Sequence, residues 1–118
     1  MKYHILENAG FFHIKISGDT RKNEALQARR AFNNYFKGKG IKVIVDLQEL
    51  HEFELITLLE VLNSIRKEVN FLGGCLKLCS LNPEILNYFK ENRLDQFFDI
   101  YKDEEMAKKS KWRNYDKR

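Results

Sequence analysis

The segment Lys42 to Leu62, KVIVDLQELHEFELITLLEVL, changes its hydrophobic period midway, and no other stretch restricts the fold as strongly. Val43, Ile44 and Val45 form a continuous β-branched run, the pattern of a strand covered on both faces rather than wetted on alternate residues. Past Asp46 and Leu47 the apolar positions Leu58, Val61, Leu62, Ile65 and Val69 recur at helical spacing, so the segment reads strand, loop, helix.

Turn and cap signals divide the rest of the chain into similar units. Tyr3 to Glu7 and Phe11 to Ser17 read as two strands joined at Asn8-Ala9-Gly10, a hairpin with a three-residue loop ending in Gly. In the second strand Phe12, Ile14 and Ile16 point one way and His13 and Lys15 the other, which predicts one more solvated face than the central strand has. Ala25, Ala28, Phe32, Tyr35 and Phe36 give a first helix that stops at Gly38-Lys39-Gly40. Asn70 to Gly74 ends a second helix, and Cys75 to Ser80 is the next strand. Asn82-Pro83-Glu84 opens a third helix with an Asn cap, Pro in the first turn and a carboxylate near the positive end of the dipole. Ile85, Leu86, Phe89 and Leu94 form its apolar face. Phe98 to Tyr101 is a short final strand, and Asp103-Glu104-Glu105 opens the last helix. This order predicts an α/β domain: a mixed sheet with a leading antiparallel hairpin and parallel crossovers, covered by about four helices.

With 118 residues, 43% hydrophobic and 13% aromatic, the chain is long enough to bury one core without staples, and no second domain is needed. Its apolar runs are far shorter than the roughly 20 residues that span a bilayer, and MKYHILENAG lacks the apolar stretch of a signal peptide. A cytoplasmic location is expected. Cys75 and Cys79, four strand positions apart, stand roughly 13 Å from one another and cannot pair, so both read as buried free thiols. Charge is uneven. Six cations against Asp116 put a net +5 into residues 108–118, so the rest of the chain carries −1 of the +4 total. A single domain over 1–107 with a basic tail over 108–118 follows. Trp112 and Tyr115 interleave with the tail's cations, but this is no recognisable nucleic-acid or membrane module. The tail is expected to be a solvated extension of the last helix with Trp112 packed back on the domain, and cutting after Ser110 to leave the fold nearly unchanged.

Catalysis finds little support. His4 and His13 lie on strands and His51 in the acidic loop HEFE, with no nucleophile, base and orienter converging. Glu49, Glu52 and Glu54 around His51 read as an exposed acidic rim rather than a cation site. Gly73-Gly74 lacks the spacing and the following Lys of a phosphate loop. No enzyme activity, cofactor or metal is expected.

In order and spacing these segments resemble the STAS family, the anti-sigma factor antagonists of bacteria. The likeness is carried by Ile16-Ser17-Gly18-Asp19, by Val43 to Leu47, by the glycine turn and strand Gly73 to Leu78, and by Leu81 to Ile85 followed by Leu94 to Tyr101 and Glu104 to Ala107. The resemblance implies a protein that works by being bound. In such antagonists an unphosphorylated Ser at the start of the second helix lies against an anti-sigma factor, often itself a kinase, and a phosphate there adds about two negative charges and breaks the contact. The family's Asp-Ser-X-Gly-Leu reads here Glu54-Leu55-Ile56-Thr57-Leu58, so the phosphoacceptor position holds Leu55, and Thr57 is the only nearby hydroxyl. At about 100° per residue Leu55 falls at the edge of the core stripe, Leu59 on its flank and Ile56 opposite it. This surplus of apolar surface marks a partner or self-association surface. By the resemblance the Gly18-Asp19-Thr20 turn lies beside the helix start, so Asp19, Thr20, Glu54, Leu55, Ile56, Thr57 and Leu59 form the expected binding patch. The implied partner is an anti-sigma factor or related kinase, with a homodimer possible. The alternative is an accessory subunit on the ATPase of a bacterial lipid-transport ABC complex.

Overall fold

Strand residues alternate between two differently covered faces of one sheet, and this division organises the molecule. The computed structural model describes residues 2–8, 10–17, 30, 32, 40–50 and 54–112. Five strands, β1 (Lys2–Asn8), β2 (Phe11–Ser17), β3 (Lys42–Asp46), β4 (Cys75–Cys79) and β5 (Asp99–Tyr101), lie side by side in chain order. β1 pairs antiparallel with β2, and β2 to β5 are mutually parallel. Among the described residues three helices follow: α1 (Leu55–Phe71), α2 (Pro83–Glu91) and α3 (Glu104–Lys109). The expected first helix lies outside the described residues apart from Arg30 and Phe32, which are helical, with Phe32 fully buried.

Ile14 and Ile16 of β2, Val43 and Val45 of β3 and Leu76 and Leu78 of β4 turn to one face. There they meet Leu58, Val61, Leu62, Ile65 and Val69 of α1 and Ile85 and Phe89 of α2 in the main core. Parallel strands added in one direction by right-handed crossovers put their connecting helices on the same side, so this face is thick and apolar. The opposite face presents Phe11, His13, Ile44, Asp46, Lys77, Cys79 and Tyr101. Its cover is thinner: α3 contributes Ala107, and Trp112 follows.

Helix ends obey local chemistry. The Asn82 side chain accepts the N–H of Ile85 at 2.9 Å, and that of Asp103 accepts the N–H of Met106 at 2.9 Å. Helix α1 gives way to β4 through Gly73 at φ 70°, and a Cβ on Gly74 would collide with the Ile41 carbonyl oxygen. Glycine is required at Gly74 by that close approach.

Several expectations are corrected. Asn8 already pairs with Phe11, so the hairpin loop is shorter than three residues. Leu94 is not on the third helix, which ends at Glu91, but in a 3-10 turn over Leu94–Gln96 entered through Arg93 at positive φ. Cys79 is buried, whereas Cys75, at the start of β4, is partly exposed. His13 is the largest departure: alternation along β2 puts it on the less apolar face, yet it is only 4% exposed because α3 folds over that face.

Candidate functional site

Helix α1 begins where β3 has delivered the chain to the carboxyl end of the parallel strands. Its core stripe follows the expected phase: Leu58, Val61, Leu62, Ile65 and Val69 are all fully buried. Ile56, on the far side, is 68% exposed, a large apolar side chain in the first turn with water around it. Leu55 is half-buried, and Leu59 packs partly against the main core. The apolar surplus at the helix start therefore centres on Ile56.

The position that would be glycine in the implied motif behaves differently. Thr57 is 1% exposed, and its hydroxyl donates to Glu54 Oε1 at 2.7 Å. Glu54 is the N-cap residue but its side chain accepts no backbone N–H there, and the first turn carries no acidic side chain. Leu55 offers no hydroxyl, and the one hydroxyl of the first turn is turned inward and engaged. Asp19 and Thr20, with His51 and Glu52, lie outside the described residues. Glu49 is exposed.

The second face of the sheet holds groups that sequence reasoning missed. Lys77, in the run CLKLC, is completely buried. Its Nζ donates to the carbonyl oxygens of Ala107 and Ser110, each at 2.7 Å, and so caps the C-terminal end of α3. The same Nζ lies 4.1 Å from the centre of the Trp112 ring and 4.9 Å from that of Tyr101. Beside this latch His13 stands between two carboxylates, Nε2 3.4 Å from Asp46 Oδ2 and Nδ1 3.4 Å from Glu104 Oε1. Partial burial pushes the Glu104 carboxyl up, but the hydrogen bond from Lys108 and the fields of His13, Lys108 and Lys15 outweigh it and hold Glu104 below its ordinary value. Burial pushes the Cys79 thiol up to about 12, with the Asp46 charge adding to the effect. Cys79 is therefore a protonated, unreactive thiol at neutral pH. No local spacing announces these groups; only the excess of charge in strands otherwise rich in Val, Ile and Leu hints at a second polar face.

Among the described residues no helix is long and apolar enough to cross a membrane. No family model matches the sequence, and no curated protein matches it. Solved structures do. An anti-sigma-factor antagonist (STAS) domain protein from Planctomyces limnophilus superposes with a TM-score of 0.75 at 21% identity, over 89% of this chain and 92% of that one. The Bacillus cell fate determinant SpoIIAA in its phosphorylated form gives a TM-score of 0.70 at 16% identity, over 91% and 97% of the two chains. RsbS from Moorella thermoacetica gives 0.68 at 18% identity, over 89% and 90%. These likenesses span nearly the whole of each chain, and the chain has the fold of a STAS domain.

Proposed function

We propose that the chain is a regulatory module that acts by being bound by a protein partner at the start of α1, in the manner of an anti-sigma factor antagonist, and that it carries no catalytic step. The observation behind this is Ile56. A β-branched apolar side chain 68% exposed in the first turn of a helix whose buried stripe is already complete adds little to folding, and it stands in the segment that the resemblance aligns with the antagonist motif. With Leu55 where the resemblance puts the phosphoacceptor, the switch in this reading is not a phosphoserine: the contact depends on an apolar patch of Leu55, Ile56 and Leu59 with Glu54, to which the resemblance adds Asp19 and Thr20. The partner class is an anti-sigma factor or related kinase. The accessory-subunit alternative uses the same fold and differs in its partner, an ABC ATPase.

Ile56→Asp tests the proposal. On an exposed helix position the change should cost within about 0.5 kcal/mol of stability. In a desolvated contact the same carboxylate is unpaired, a cost of several kcal/mol, equivalent to roughly a hundredfold or more in affinity. Proteins retained from the source cells by the tagged native chain but lost by a folded Ile56→Asp variant are identified by mass spectrometry, and their affinities measured. A folded variant that retains every native partner at native affinity refutes the assignment of this surface.

A further inference from the structure

Three side chains from three separate elements converge beneath α3. His13 of β2, Asp46 at the end of β3 and Glu104 in the first turn of α3 each present one possible ligand atom, and these atoms lie within 4.8 Å of one another. An independent sign of something to be bound comes from His13. Its Nε2 is buried and makes no hydrogen bond, although its side chain is only 5% exposed. A buried polar atom without a hydrogen bond costs stability, and such atoms are scarce in folded proteins. Nε2 lies 3.4 Å from Asp46 Oδ2 without pointing straight at it. That separation is long for a hydrogen bond but matches the edge of a coordination shell: two ligands at about 2.0–2.1 Å from a zinc ion, at the tetrahedral angle, stand roughly 3.4 Å apart. The other Asp46 oxygen, Oδ1, accepts the N–H of Gln48 at 2.9 Å, which holds Oδ2 toward the imidazole.

We propose that His13, Asp46 and Glu104 form a binding site for a divalent transition-metal ion, with Zn2+ the best match. His13 Nε2 and Asp46 Oδ2 are the fixed ligands, set by adjacent parallel strands. Glu104, whose Oε1 now lies 3.4 Å from His13 Nδ1 and whose side chain is 30% exposed, must swing round to the Nε2 side to act as the third. A cavity of about 530 Å3 lined by Lys15, Asp46, Gln48, Ser80, Asp103 and Glu104, among others, opens onto the two carboxylates and admits water to complete the shell. One imidazole with two carboxylates suits Zn2+ and its neighbours in the first transition row, whereas Mg2+ and Ca2+ favour all-oxygen shells. Among the described residues three cations oppose the ion, Lys108 on Glu104 and Lys15 and Lys102 in the cavity wall. Lys108 Nζ lies 2.9 Å from Glu104 Oε1, so binding must displace the Lys108 contact. A bound ion would tie β2 and β3 to α3 and fasten the C-terminal segment over the second face of the sheet.

The test uses the full chain, stripped with chelator and titrated with ZnCl2 and, separately, MgCl2 by calorimetry near neutral pH. His13 and Asp46 are buried and their replacement endangers folding, so the deciding variants are Glu104→Gln and Lys108→Ala, both reaching solvent. Native protein is expected to bind one Zn2+ saturably, to ignore Mg2+, and to shift its urea midpoint upward with zinc. Glu104→Gln should weaken zinc binding at least as much as the roughly ten- to hundredfold typical of losing an outer-shell partner. Lys108→Ala should tighten it, because a competing cation is gone. Co2+ in place of zinc should give visible d–d bands with no thiolate charge-transfer absorption. Absence of saturable uptake up to millimolar zinc overturns the proposal. So does native affinity in a folded Glu104→Gln variant, or a thiolate band placing the ion on Cys75 or Cys79.

Discussion

Replacing Trp112 by Ala asks whether residues beyond α3 belong to the domain. The ring packs with Ile44, Cys79 and Ala107 and with Phe11, whose ring centre is 6.4 Å away at an interplanar angle of 36°. Lys77 Nζ sits 4.1 Å from its centre and Lys42 Nζ 5.7 Å. A tryptophan buries about 150–250 Å2. If about half of that is apolar surface that alanine would return to water, the loss is about 2–3 kcal/mol at roughly 25 cal/mol per Å2, an upper figure because the unfolded chain already hides part of it. Cation–π attraction to a desolvated Lys77 adds about 1–2 kcal/mol, overlapping the first figure, so the expected total is about 2–4 kcal/mol. For a domain of this size the melting temperature should fall by roughly 8–16 °C. Trp112→Phe keeps a ring over Lys77 and should lose about 1 kcal/mol. Truncation after Ser110 removes the same ring and should cost as much as the alanine variant, against the near-neutral effect expected from sequence. Urea and thermal melts followed by circular dichroism measure these losses. Because Trp112 is the sole tryptophan, its fluorescence reports the same contact, with emission moving to the red on unfolding. An alanine variant within about 0.5 kcal/mol of native, together with solvent-like emission from native protein, would refute the reasoning.

Other expectations concern the helix start, the buried thiol and the glycine turn. Incubation with ATP and an anti-sigma kinase should leave Leu55 to Leu59 unmodified by intact-mass and phosphopeptide analysis, because the hydroxyl of Thr57 is buried against Glu54; stoichiometric phosphate on Thr57 would show that the helix start opens and that the switch has moved there. Cys79 keeps its proton when folded up to about 12, while in the unfolded chain the thiol ionises near its ordinary 9.0. Between these values the unfolded state binds fewer protons, so stability falls as pH rises, by up to about 1.4 kcal/mol per pH unit. Urea midpoints above pH 9 should show a steeper decline in native protein than in Cys79→Ala, and parallel declines would contradict the burial of this thiol. Iodoacetamide should label partly exposed Cys75 before Cys79 in folded protein. Gly74→Ala, whose Cβ meets the Ile41 carbonyl, should cost more than about 2 kcal/mol, whereas Gly73→Ala meets no atom and should cost only the roughly 1–2 kcal/mol of a left-handed conformation. Equal losses in the two variants would show that the turn relaxes freely.

Sequence alone determined the scaffold. Val43 to Val45 and the recurrence from Leu58 to Val69 are period signals that each residue carries for itself, and Asn82 and Asp103 cap their helices through bonds spanning three residues, so the described strands and the helices from Leu55 onward were legible in order. The same helical phase identified Ile56 as the outward residue of α1. What only the tertiary structure decided is the second face of the sheet. His13 looked like an alternating solvated position, and Lys77 had no reading of its own, because burial there depends on a helix encoded some thirty to ninety residues later in the chain. The carbonyls that satisfy Lys77 belong to Ala107 and Ser110, 30 and 33 positions away, and the group around His13 draws on positions 13, 46 and 104. Periodicity reports which way a side chain points. Whether water or another element lies in that direction is set by long-range packing, which leaves no spacing to read.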